Sequence, residues 1–113
     1  MPRDARAHLY DMQQAASLVA EFTAGMDFDA YAANAMVRAA VERQFEIIGE
    51  ALGQLAKLDP ETGGQVGDYR RVIAFRNTLV HGYAGVDDRL AWDMVVTRLA
   101  GLRRDVDQLL GRL

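Results

Sequence analysis

The sequence predicts an all-α protein, an antiparallel bundle of four to five helices in a single domain spanning residues 1–113. Three observations carry this. Apolar residues recur at steps of three and four along nearly the whole chain, and no stretch alternates as a half-buried strand would. The connections between periodic segments are short, which favours antiparallel neighbours. Half of the residues are hydrophobic and 26% are charged, a balance that supplies a core and argues against disorder.

A first helix is expected from about Asp4 to Ala24, with Leu9, Met12, Ala16, Val19 and Phe22 on one stripe and Gly25 as its stop. Asp27 stands where it can cap the next helix. Residues 28–58 favour helix, with Val37, Val41, Phe45, Ile48, Leu52 and Leu55 on one face and a candidate break near Asn34. "DPETGGQVGD" joins the helix-stopping Pro60 to three glycines and reads as the one clear loop, after which Asp68 is the expected N-cap of a third helix. The last helix is capped by Asp87 and runs to the C-terminus. Its Trp92, Val95, Leu99, Leu102, Val106, Leu109 and Leu113 form an unbroken seam that needs a partner helix.

Composition excludes several classes of function. There is no cysteine, hence no disulfide framework, thiolate metal site or thiol nucleophile. The N-terminus, "MPRDARAHLYDMQQ", carries charges where a signal peptide is apolar, and no run approaches the roughly 18 apolar residues that span a bilayer. A cytoplasmic location without membrane attachment is therefore expected. The net charge of −3 argues against a broadly basic coat for nucleic acid but hides local fields.

One such field lies in the third helix, at "AFRNTLVHGYAG". At about 100° per residue, Tyr69, Val72, Ile73 and Val80 share a sector with Leu79 at its margin, and this face is expected to pack inward. Arg76 falls in the middle of it, four residues after Val72 and four before Val80. An arginine cannot shed its charge, and burying one without a partner costs several kcal/mol. Glu46 and Glu50, four apart in "EIIGE", are candidate partners. Arg70, Asn77 and His81 share an adjacent face, and His81 points roughly 140° away from Arg76 around the axis. Two routes bring them together: an irregular last turn at Gly82, suited to the left-handed conformation, or a two-fold axis that lets two copies line one cleft. Tyr69 to Tyr83 holds three arginines, one histidine and no acid, a field suited to phosphate.

Arg76, four residues, His81, one residue and Tyr83 together resemble the R-x4-H-x-Y motif of HEPN-domain ribonucleases, and "RNTLVHGY" resembles its form in the HepT-type toxins. "EFTAGMDFDAY", "AVERQFEIIGEAL" and "YAGVDDRLAWDMV" are similar to other parts of that family, in the same order, so the resemblance covers essentially the whole chain. One difference is the start of the third helix, often Pro-Trp in the family and Asp68-Tyr69 here.

The resemblance implies a HEPN-like helical homodimer whose motif residues meet in a cleft at the subunit interface and cut RNA without a metal or other cofactor. It implies Arg76 and His81 as catalytic residues, with Asn77 as the polar residue that follows the arginine. It also implies a nucleotidyltransferase antitoxin partner that adds AMP to Tyr83.

The residue types suit that chemistry. Metal-free cleavage uses the 2′-hydroxyl as nucleophile, so protons must move and a crowded, doubly charged phosphorane must be stabilised. Histidine suits the first task, and the arginine fork the second. Asn77 and Arg70 are candidates for holding RNA, and Tyr83 for stacking on a base or bonding a phosphate. In blander readings His81 is a helix C-terminal dipole partner and Arg76 a structural cation. Glu46 and Glu50 with His81 lack the compact Glu-x-x-His spacing of bundle metal sites, so no metal is expected. The alternative function is a non-enzymatic helical subunit that docks on a nucleotidyltransferase and binds nucleotide or phosphate. Arg103 and Arg104 read as a solvated face, and His8 has no identifiable partner.

Overall fold

The computed structural model describes residues 4–82 and 85–113, and among them are seven helices and no strand. These are α1 (Ala5–Thr23), α2 (Phe28–Ala33), α3 (Ala35–Leu58), α4 (Pro60–Gly64), α5 (Tyr69–His81), α6 (Asp88–Thr97) and α7 (Leu99–Arg112). The class is the expected all-α, HEPN-like bundle, and the larger number comes from three interruptions.

Side-chain caps set most of the helix starts, as short polar residues do when they satisfy orphan N–H groups of a first turn. Asp4 accepts from the Ala7 N–H at 2.9 Å, and Asp27 accepts from that of Ala30 at 2.9 Å. The break at Asn34 is real: its backbone is extended, with φ −112° and ψ 95°, and its side chain accepts from the Val37 N–H at 3.0 Å. The stretch expected to be plain loop contains α4, because Asp59 accepts from both the N–H and the hydroxyl of Thr62 while Pro60 occupies the first helical position. Those two hydrogen bonds, the hydroxyl's first, hold the Asp59 carboxyl below its ordinary range.

Two expected features differ. Asp68 precedes α5 with a left-handed backbone, φ 58°, and makes no side-chain cap; its carboxylate instead takes Arg98 at 2.7 Å. Arg98 is also where the last helix divides. Its φ of −117° separates α6 from α7, although its N–H still reaches the Met94 carbonyl and its own carbonyl still accepts from Leu102. The seam survives the bend: Trp92, Leu99, Leu102, Val106 and Leu109 are buried, Val95 is half-buried, and Leu113 is exposed.

Helix α3 is the hub. It packs against α1 on one side and α5 on the other and also meets α2 and α4, while α7 lies on α1, and α6 joins α7 and α2. The predicted stripe of α3 supplies Val41, Phe45, Ile48, Leu52 and Leu55 to the core, with Val37 partly buried. Leu9, Met12 and Val19 of α1 meet it. At the far corner, Arg38 bonds the Ala32 carbonyl and pairs with Asp88 at 3.5 Å, tying α2, α3 and α6. The Tyr31 ring lies 5.2 Å from that of Trp92 there.

The contact between α3 and α5 is unusually close at one point. A Cβ on Gly49 would stand 2.2 Å from Cβ of Arg76, so only a glycine allows the two backbones to approach here. Among the described residues no helix is long and apolar enough to cross a membrane.

Candidate functional site

Arg76 stands at the rim of the buried face of α5, and not in its middle as the helical wheel places it. The buried residues are Val72 and Phe75, with Tyr69, Ile73 and Leu79 partly covered and Val80 45% exposed. The reason is that α5 packs chiefly on α3, so its covered strip is narrow and turns toward Phe75, whose ring meets that of Phe45 edge-on at 5.3 Å.

From that rim Arg76 reaches back across Gly49 to Glu50. Its Nη2 donates to Glu50 Oε2 at 2.8 Å and its Nη1 to Asn77 Oδ1 at 3.2 Å. The other Glu50 oxygen accepts from Gln54 at 3.3 Å. Glu46, the second candidate partner, is taken by Arg43 at 3.1 Å. The Nε of Arg76 is buried and makes no hydrogen bond among the described residues. The Arg76 and Glu50 side chains are 29% and 55% exposed, so their pair contributes at most about 1 kcal/mol to stability.

These residues lie in an open groove of about 870 Å³ whose floor is α3 and whose walls are α1 and α5. Ile47, Ala51, Leu58 and Val80 give it apolar patches, and Asp11, Glu46 and Glu50 face Arg43, Lys57 and Arg76. The acid-free field read along α5 is thus offset by carboxylates that α3 brings across. The sequence offered Glu46 and Glu50 as partners of Arg76, and the packing of α3 on α5 selects Glu50.

The structure joins Arg76 and Asn77 directly. It does not bring His81 into the groove: His81 is the last residue of α5 and is exposed. Gly82 is not left-handed, with φ −82° and ψ 92°, and there is no αL turn to redirect His81. The glycine is needed for clearance instead, since a Cβ would lie 2.6 Å from the Thr78 carbonyl oxygen. Arg70, in the first turn of α5, is exposed, donates to the Tyr69 hydroxyl at 3.0 Å and lies over that ring. Tyr83 lies outside the described residues. His8, unassigned from sequence, is buried on α1 and lines the same groove as Arg76. Its place on the stripe beside Leu9 marks it as inward-facing, but only packing of α1 on α3 puts it near the arginine.

The chain matches the family described as "Ribonuclease HepT-like" over residues 12–109. It belongs to the HepT-like ribonuclease family. This HepT-like chain is 35% identical to a Methanocaldococcus jannaschii protein named "Putative RNase MJ1380", over 93% of its own length and 95% of the relative's. It is 31% identical to "Probable ribonuclease HepT" of Thermococcus cleftensis, over 96% of this chain and 98% of that one. A second M. jannaschii protein, "Putative RNase MJ0127", is 29% identical over 97% and 91% of the two chains. No solved structure matches the HepT-like chain.

Proposed function

We propose that this protein is a metal-independent endoribonuclease that acts as the toxin of a toxin–antitoxin pair. RNA is cut by attack of the 2′-hydroxyl on the adjacent phosphorus, in a cytoplasmic homodimer whose cleft combines residues of two copies. Membership of a ribonuclease family supports the reaction class. The observation that carries the site is Arg76: a permanent cation held at a solvent-facing rim, two of whose five N–H donors are engaged, by Glu50 and Asn77. The Nε–H is buried, and the remaining hydrogen on each Nη suits the equatorial oxygens of a phosphorane, where charge develops in the transition state.

His81 moves the protons. Neutral imidazole accepts from the 2′-hydroxyl, and imidazolium donates to the departing 5′-oxygen. Its exposure at the end of α5, away from the groove of its own chain, favours a cleft completed by a second copy, with Arg76 and His81 reaching across the axis. The exposed Leu58 and Val80 beside Arg76 give that copy an apolar footing. Asn77, Arg70 and Tyr83 hold the RNA. A nucleotidyltransferase antitoxin silences the enzyme by adding AMP to Tyr83, which adds bulk and negative charge two positions after His81 in the chain.

The decisive experiment incubates the purified protein with RNA in excess EDTA. Cleavage leaving 2′,3′-cyclic phosphate ends is expected, and Arg76→Ala and His81→Ala each lower it by at least 100-fold while remaining folded. Binding without cleavage would support instead the non-enzymatic subunit that docks on the nucleotidyltransferase.

A further inference from the structure

We propose that Glu50 is the positioning residue for Arg76, setting the direction in which the guanidinium presents its free donors. The inference rests on the reading of Arg76 as the phosphate-stabilising group.

Four observations converge on it. The ion pair is short, 2.8 Å from Nη2 to Oε2, yet both partners are partly exposed, so the bond adds little to stability and its effect is chiefly on orientation. The carboxylate is itself anchored, because Gln54 donates to its other oxygen at 3.3 Å from one turn further along α3. The arginine stem has little room to choose another direction, since its Cβ and Cγ stand over Gly49, within 2.2 and 2.6 Å of where a Cβ there would be. Finally, Nε is buried without a partner among the described residues, so the guanidinium is oriented there by Glu50 on Nη2 and by Asn77 on Nη1.

A carboxylate beside a phosphate site also has an opposing effect, since it repels the phosphodiester in the ground state. That predicts a signature a merely structural residue would not give. Losing Glu50 relaxes the fork and slows the chemical step, while removal of the negative charge leaves substrate binding equal or tighter.

The test measures kcat and KM on a single-stranded RNA oligonucleotide in EDTA, together with thermal melts, for the wild type and for Glu50→Ala, Glu50→Gln and Arg76→Ala. Glu50→Ala is expected to lower kcat about tenfold with KM unchanged or reduced and Tm within a few degrees. Glu50→Gln, whose amide oxygen still accepts from Nη2, recovers at least a third of the wild-type kcat, and it carries the test if the alanine variant fails to fold. A kcat within twofold of wild type for Glu50→Ala overturns the inference, as does a rise in KM matching the loss, or a glutamine variant no better than alanine. An Arg76→Ala protein that cleaves like wild type defeats the underlying reading of Arg76 instead, whatever Glu50 does.

Discussion

Tyr31 shows how an individual side chain can be held at a disadvantage by its surroundings. Its ring is fully buried against Trp92, but its hydroxyl has no hydrogen-bond partner among the described residues. Burial, aided by the nearby Glu42 and Asp88 charges and opposed by Arg38, pushes its pKa from 10.0 up to about 12. Removing an unsatisfied hydroxyl should not weaken the core, so Tyr31→Phe is expected to be neutral or more stable by about 1 kcal/mol in urea unfolding near neutral pH. The linkage has a definite sign. A pKa raised in the folded state means that the unfolded chain loses its proton first as pH climbs, and stability falls between pH 10 and 12. The advantage of Tyr31→Phe over wild type should therefore widen across that window by roughly 2 to 3 kcal/mol. Arg76 was legible as an anomaly because a charge interrupted an apolar stripe. Its choice of Glu50 over Glu46 was not, since both lie on one face of the same helix and only the register of α3 against α5 separates them.

Helix boundaries followed sequence at the local caps Asp4, Asp27 and Asn34, whereas the local cap at Asp59 starts a short helix where loop was expected. They also departed from it where a distant partner intervenes. Asp68 would ordinarily cap α5, but Arg98, thirty positions along the chain, takes its carboxylate, and the same arginine marks the division of α6 from α7. Phe75 was absent from the expected inward face for a similar reason, because the ring of Phe45 draws the buried strip of α5 toward itself. Gly49 governs the spacing of α3 and α5. Gly49→Ala gains helix propensity but drives a methyl against the Arg76 stem, and overpacking of this kind typically costs about 1–3 kcal/mol. A fall in stability of that size by denaturant melts is expected, with a loss of cleavage larger than destabilisation alone explains.

The groove bordered by α1, α3 and α5 places exposed Leu58 and Val80 beside the charged side chains of the candidate site. Pairing of two copies there would cover these residues and bring a second His81 toward Arg76. Light scattering on the purified protein should return twice the 12.5 kDa chain mass. Leu58→Lys, which puts a charge on the apolar footing at the end of α3 and alters no residue of α5, is expected to shift the protein to monomer and to lower cleavage by at least tenfold. A monomeric wild type that cleaves at full rate would remove the composite cleft. The helical class, the order of the main segments and the residues of the R-x4-H-x-Y pattern were set by sequence alone, because 3.6-residue periodicity, short polar caps and motif spacing are properties of neighbouring positions. The partner of Arg76, the clearance at Gly49, the bend at Arg98 and the placing of His8 rather than His81 in the groove belong to tertiary structure. Each depends on which face of one helix meets another, and that is settled by packing among residues far apart in the chain.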